Sequence, residues 1–331
     1  MTAFLIRRLL WMVPVLFTIA LITFVLMHAA PGGPWDRDPG RRQIDAGTQA
    51  RLNEQFGLDK PMWRQFLAYV IGDFDGEGEF VCGAICGNLG PSYRQRGRTV
   101  QEILFSVPDG KPFWQSRFGY SIRLGVFALT LAIIVGIPAG IVSALRQNSI
   151  IDYTCSFIAN LGVSVPNFVI GIYLIIIFAV TLHWISVVPR SWAELKVWII
   201  PAMVLGFGTM ALTARLTRSS MIEVMRQDYV RTARSKGLRE SSIVQVHMVK
   251  NALIPVVTVL GPALAALVTG SFIIETMFSF PGIGREYVQA ISNRDYSMIL
   301  GTTLVYGVLI AFANLSVDVI YSFLDPRIRL K

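Results

Sequence analysis

Charge is what this chain has least of. Only 15% of its 331 residues are Asp, Glu, Lys or Arg, where a soluble domain carries roughly a quarter. That deficit excludes an ordinary soluble domain. Histidine is nearly absent as well: His28, His183 and His247 fall in separate segments without ligand spacing, so they read as interfacial or packing residues. No glycine-rich phosphate loop is present, because the one Gly-Lys pair, Gly110-Lys111, is followed by Pro112 instead of Ser or Thr. Aromatic residues do not interleave with the basic ones as base-stacking platforms would, which argues against a nucleic-acid partner.

What the chain has in abundance is apolar sequence, 53% of the whole. Six apolar runs, 9–30, 119–145, 154–182, 197–216, 252–280 and 298–324, are long enough to cross a bilayer as helices. Internal Gly136, Pro138, Pro166, Gly206, Gly208, Gly261 and Pro262 are tolerated where neighbouring helices satisfy freed backbone groups, so the runs predict a packed bundle. The first run follows Arg7 and Arg8 like a signal peptide. At 22 residues it exceeds the usual ~7–15 of such a segment, and it reads as a retained anchor.

Orientation follows from the short loops. With the N-terminus inside, the inner segments hold fourteen basic residues: Arg7, Arg8, Arg146, eight from Arg215 to Lys250, then Arg327, Arg329 and Lys331. The short outer loops hold four, Arg190, Lys196, Arg285 and Arg294. The expectation is an all-α polytopic membrane protein with six transmembrane helices, both termini inside. The net charge of +9 therefore lies mainly on the inner face, where it also attracts anionic lipid.

The outer segment 31–118 balances eleven basic against eleven acidic residues. Leu52, Phe56, Trp63, Phe66, Leu67, Val70 and Ile71 predict one or two amphipathic helices between about 45 and 71, lying on the outer membrane face or forming a small lobe. The acidic, glycine-rich 72–80 reads as a loop. Cys82 and Cys86 follow on a side where oxidation is allowed; a disulfide, two free thiols and a metal site are all open, although no His in 31–118 supplies further ligands. Cys155 reads as an inert packing residue.

Between two apolar runs lies a strongly basic stretch from Met221 to Pro255. Glu223 early and Arg234 and Lys236 late suit the dipole of a helix over about 220–236. Gly237 then provides a left-handed cap with Leu238 closing its hydrophobic contact, and Ser241 or Ser242 starts a return helix towards Lys250. Ile222, Met225, Tyr229 and Ala233 form one narrow apolar stripe. A helix resting on lipid headgroups would carry such a stripe, yet a compact two-helix knob fits a protein groove better.

In DYVRTARSKGL (228–238), continued to NALIPVV (251–257), the chain resembles the EAA loop of permease subunits of binding-protein-dependent ABC importers, in the dipeptide/oligopeptide variant. Arg231-Thr232-Ala233 stands where the general motif has Glu-Ala-Ala, and Gly237 is its glycine. The N-terminal FLIRRLLWMVPVLF and HAAPGGP, then 123–145, 164–172, 214–233, ETMFSFPGIG (275–284) and LDPRIR (324–329), resemble the same branch. Only about 72–115 departs, as an enlarged outer insertion. The resemblance implies a type I importer fold: an N-terminal helix over 1–30, an extracytoplasmic segment over 31–118, a five-helix core over 119–325 and a tail over 326–331. It implies that loop 219–252 is a coupling helix, with Tyr229, Arg231, Thr232, Ala233, Lys236, Gly237 and Leu238 meeting an ATPase subunit. Implied partners are a second homologous permease (a heterodimer), two cytoplasmic ATP-binding subunits and an extracytoplasmic binding protein, in a bacterial or archaeal plasma (inner) membrane. ATP and Mg would be bound by the partners; this chain is expected to carry no cofactor and no catalytic residue.

Two carboxylates within the apolar runs are candidates for the translocation path. Glu275 either lines the path or gate or caps the outer loop. Asp318 either serves the path or pairs with Arg215 or Arg218. Nickel chelates or oligosaccharides are alternatives to peptides within the same fold. A proton-coupled secondary transporter is the alternative of another class, but its mid-membrane relays and inverted repeats are not visible; nor is a nucleophile and base for an enzyme.

Overall fold

The computed structural model describes residues 2–35, 45–74, 78–107 and 110–324. Its helices in chain order are α1 (Thr2–Ala29), α2 (Ala46–Gln55), α3 (Met62–Val70), α4 (Val100–Phe105), α5 (Arg117–Leu145), α6 (Ile150–Ser164), α7 (Asn167–Leu174), α8 (Lys196–Met225), α9 (Asp228–Ser235), α10 (Glu240–Ser242), α11 (Lys250–Ala252), α12 (Ile254–Val268), α13 (Phe272–Met277), α14 (Ile283–Asn293) and α15 (Tyr296–Leu324). π-helical turns extend α7 over Ile175–Thr181 and join α10 to α11 over Ile243–Val249. The only strands among the described residues, β1 (Gly72–Phe74) and β2 (Phe80–Cys82), pair antiparallel.

Four helical segments are straight and apolar enough to span a bilayer: Ile6–Ala29, Arg117–Leu145, Lys196–Met225 and Tyr296–Val319. The expected 154–182 run is bent instead, and the expected 252–280 run starts at a second bend. Ile150–Ser164 and Asn167–Thr181 meet at 114°, and Glu240–Ala252 and Ile254–Val268 at 51°. The first bend has a local cause: Val165, held extended before Pro166 (φ −94°, ψ 128°), cannot continue a helix. At the second, Pro255 lies in the first turn of α12, where its missing N–H leaves no bond unmade. The run expected over 252–280 also ends early, at Thr269, and α13 begins at Phe272.

The chain folds as two compact units, Met1–Tyr120 with Pro281–Ala311, and Ser121–Phe280 with Phe312–Lys331. In the first, Phe24 and Met27 of α1, Phe66 of α3, Val100, Ile103 and Leu104 of α4, Ile283 of α14 and Tyr296 and Leu300 of α15 share one core. Asp295 caps α15 at Met298 N (3.2 Å) and also accepts from Ser92 Oγ (2.5 Å) and Tyr93 N (3.1 Å), tying the loop before α4 to that helix. The stretch 72–80, expected as a loop, has paired flanks: Phe74 and Phe80 are cross-strand partners with ring centroids 5.6 Å apart. Cys82 and Cys86 just beyond are disulfide-bonded, Cα atoms 5.9 Å apart.

The second unit is built on α8, whose length includes the expected 197–216 run and three further turns. Glycines set the spacing of its neighbours. A Cβ on Gly140 of α5 would lie 2.5 Å from Ala214 O, and one on Gly206 of α8 would lie 2.6 Å from Ala128 O. On α6, a Cβ at Gly162 would meet the Ala211 methyl at 2.5 Å. Close approach through small residues is how helices associate where lipid removes the hydrophobic driving force.

Candidate functional site

The basic stretch forms a rigid knob on the second unit. α8 does not run into the next helix, because Arg226 and Gln227 turn the chain and Gln227 adopts an extended N-cap conformation (φ −72°, ψ 148°). The single helix expected over 220–236 is therefore two, and Glu223 ends α8 instead of starting the knob. This also corrects the apolar stripe. Val230 and Ala233 of α9 face inward, joining Met221, Ile243, Met248, Ala252 and Ala144 in a closed core, while Tyr229 is largely exposed.

Gly237 has φ +73°, and its N–H donates to Arg234 O (2.9 Å) while Leu238 N–H donates to Ala233 O (3.4 Å). Those two bonds make the left-handed cap that the glycine predicts. Leu238 itself stays 44% exposed, so the cap's apolar contact is not buried within this chain. The return helix starts one turn earlier than expected: Arg239 is its N-cap, and Ser241 and Ser242 lie inside the helical stretch. Arg234 forks onto the Glu240 carboxylate (2.6 and 3.3 Å), closing the turn, and that bond holds the guanidinium pKa above its usual value. Asn251 Nδ2 donates to Tyr229 Oη (3.1 Å), clasping α9 to α11. Arg231, Thr232, Lys236, Gly237 and Leu238 are exposed together on the turn. Among the described residues, the Arg231 guanidinium pairs with Asp228 of its own helix, at 3.5 Å.

Asp152, not singled out by its sequence context, anchors this region. It is 1% exposed, and Arg218 of α8 grips it with two bonds, Nε to Oδ1 at 2.6 Å and a terminal nitrogen to Oδ2 at 2.8 Å. Ser143 Oγ donates to Oδ1 (2.5 Å) and Asn148 N–H to Oδ2 (2.9 Å). Four donors on one carboxylate lock the α5–α6 corner to the helix that feeds the knob. Arg218 is thus engaged by Asp152. The signal in the sequence was Ser149, whose hydroxyl caps α6 at Asp152 N (3.3 Å).

Of the two path candidates, Glu275 on α13 is fully buried and accepts from Ser121 Oγ (2.9 Å). Its Oε1 sits where a Cβ on Gly270 (φ +77°) would lie, only 2.5 Å away. Asp318 is half-buried on α15. Nearby in the second unit, Trp192, Trp198 and Phe280 pack edge to face, and the Arg123 guanidinium carbon lies 4.5 Å from the Trp198 ring centre. Cys155 lines a cavity of about 230 Å³ beside Ser143, Arg215 and Arg218. Among the described residues, no three His, Cys, Asp or Glu side chains gather as a metal site would require.

Apolar helices spaced by glycines, with a polar, internally braced knob exposed at an end of α8, define a helical membrane protein. Comparison with known proteins narrows the class. Residues 136–330 match the model for "Binding-protein-dependent transport system inner membrane component", and 1–111 match its N-terminal counterpart, including most of the 72–115 stretch read as an insertion. The dipeptide transport system permease protein DppB of Bacillus subtilis is 37% identical over 330 residues, covering 100% of this chain and 99% of that protein. The oligopeptide transport system permease protein OppB of Escherichia coli K12 is 36% identical over 329 residues, 99% of this chain and 100% of that one. Among solved structures, the inward-facing MetNI methionine ABC transporter aligns with a TM-score of 0.51 at 19% identity, covering 63% of this chain and 94% of its own, a likeness of fold. The chain belongs to the binding-protein-dependent transport system inner membrane components, among the dipeptide and oligopeptide ABC permeases.

Proposed function

We propose that the chain is one of two membrane subunits of an ATP-driven importer of dipeptides or oligopeptides, and that the 219–252 knob couples it to the motor. The observation that carries this is the knob itself, a turn braced by its own cap and ion pair, on which the side chains of Arg231, Thr232, Lys236 and Leu238 are exposed and, among the described residues, hydrogen-bond or pair only with Asp228. Such a turn transmits force without deforming. Near full-length similarity to peptide permeases supports the cargo.

In this reading the bilayer is crossed six times with both termini inside, each bent pair counting as one crossing. Segment 31–118 faces outward, 119–325 forms the core, and the tail 326–331, outside the described residues, returns to the inner side. Two cytoplasmic ATP-binding subunits hold ATP and Mg, a second permease completes the path, and an extracytoplasmic binding protein delivers the peptide. Closure of the ATPase pair moves the knob, and the spans rock between inward- and outward-open states. Glu275 and Asp318 are then the carboxylates to test along the path.

The decisive experiment is a pair of substitutions at Gly237 in the full transporter. Within this chain the site is open, with nothing within 4 Å of an added Cβ, so any effect on this chain's own fold comes from backbone conformation. A left-handed φ costs a β-branched residue about 1–2 kcal/mol, whereas Asn tolerates it. Gly237→Val is expected to abolish peptide-stimulated ATP hydrolysis while the chain still inserts, and Gly237→Asn to keep most of it. Stimulated hydrolysis surviving in Gly237→Val would remove the coupling role. The cargo is identified by mass spectrometry of what co-purifies with the cognate binding protein; a nickel chelate or a sugar there would replace peptide.

A further inference from the structure

α3 packs directly on α1. Its inward residue Phe66 is 6% exposed and wedged between two rings of α1, Phe17 (centroids 5.4 Å) and Phe24 (5.3 Å). α1 crosses the bilayer over Ile6–Ala29, and Phe24 and Phe17 lie five and twelve residues before its end. At about 1.5 Å per residue, the Phe66 ring sits roughly 7 to 18 Å below that end, inside a hydrocarbon layer about 30 Å thick. On its exposed side, among the described residues, an apolar stripe at i, i+4 and i+8 is bare, Trp63 66% exposed, Leu67 39% and Ile71 48%, with the longer Arg64 at its edge. On α1, Leu10, Val13 and Leu26 are equally bare.

The polar groups of α3 are arranged for such a depth. Gln65 gives its amide to Leu58 O (3.1 Å) and Lys60 O (2.7 Å), and its carbonyl meets His28 Nε2 (3.3 Å) at the end of α1. Lys60 and Arg64 both reach Asp73, at 2.7 and 3.7 Å, so the charges gather at one edge as those of an interfacial helix do. Trp63, with an apolar body and one N–H, is the residue type favoured at the headgroup boundary.

We infer that α3 is a membrane-interfacial helix, pinned to the end of α1 by Phe66 and covered on its Trp63–Leu67–Ile71 face by phospholipid. The lipid-borne helix holds the base of the β1–β2 hairpin, since Gly83 N–H donates to Ile71 O (2.9 Å). The hairpin therefore emerges from the membrane surface at a fixed height. This inference rests on the chain's being a membrane permease and not on its cargo.

The test uses the full chain in phosphatidylcholine–phosphatidylglycerol nanodiscs. In a Cys155→Ser background, with Cys82 and Cys86 kept oxidised, Leu67→Cys, Ile71→Cys and Arg64→Cys are each spin-labelled. Collisions with oxygen should exceed those with an aqueous nickel chelate several-fold at 67 and 71, and the order should reverse at 64. Nickel dominating at 67 and 71 would make α3 a soluble lobe, and low access to both reagents would mean that another protein chain covers it; either overturns the inference. Independently of labelling, brominated lipid should quench the fluorescence of the native chain more than that of Trp63→Phe. Equal quenching overturns the inference as well.

Discussion

Asp152 holds the α5–α6 corner through four hydrogen bonds. Its carboxylate collects Arg218, Ser143 and the Asn148 N–H with almost no access to water. Breaking a buried pair by removing one partner costs roughly 3–5 kcal/mol, and the lower end applies here because Arg218 keeps 30% of its side-chain surface. Asp152→Asn, measured by thermal unfolding in detergent, should lower the midpoint by several degrees, and adding Arg218→Met should recover part of the loss. Equal losses that simply add would mean the two residues are not coupled. At the other end of the exposure scale, the hydrogen bond from Lys60 is the main reason the Asp73 pKa falls below 3.8. A folded-state value below the unfolded one gives stability that is present above pH 3.8 and disappears as pH drops through the lowered value. Lys60→Met should flatten that acid limb of a pH–stability curve and leave the neutral plateau within a few tenths of a kcal/mol, as befits a half-exposed pair. Gly237 was readable from its place after a basic helix end, because a left-handed cap has few alternatives. Asp152 was not, since its partner lies 66 residues away and the Ser149 cap beside it marks only a helix start, not a buried ion pair.

Among elements, α8 organises the second unit, and its neighbours approach it as closely as glycine permits. Gly140→Val would drive a side chain into Ala214 O and the Thr217 side chain, both within 2.6 Å of the added Cβ. Backbone cannot yield there as a flexible side chain can, so the expected outcome is loss of folded protein by size-exclusion chromatography, a larger effect than at the open Gly237. Normal yield and unfolding midpoint for that variant would contradict the packing described for α5 and α8. Helix existence was legible here from hydrophobic runs, but continuity was not. The 154–182 run reads as one span, yet Pro166 turns it by 114°. The apolar stripe through Ile222, Met225, Tyr229 and Ala233 fits one helix numerically, but the turn at Arg226–Gln227 resets the phase, so Val230 is buried in place of Tyr229. The β1–β2 hairpin was hidden because its strands are three residues each, too short for alternation to register.

For the whole molecule, the sequence read from one end to the other suggests an outer segment followed by a helical core. The structure groups the chain differently: Pro281–Ala311 folds with the first 120 residues, since Ile283, Tyr296 and Leu300 close the core around Phe24 and Phe66. Local patterns could not foresee that return, which depends on contacts more than 200 residues apart. The bond between Cys82 and Cys86 has a practical consequence at this scale. It makes the native protein a one-thiol molecule, because Cys155 is its only free cysteine. A chain held in a reducing compartment, or inserted the wrong way round, would expose three alkylatable sulfurs, so the mass added by maleimide in denaturant reads out membrane sidedness on untagged protein in a single lane.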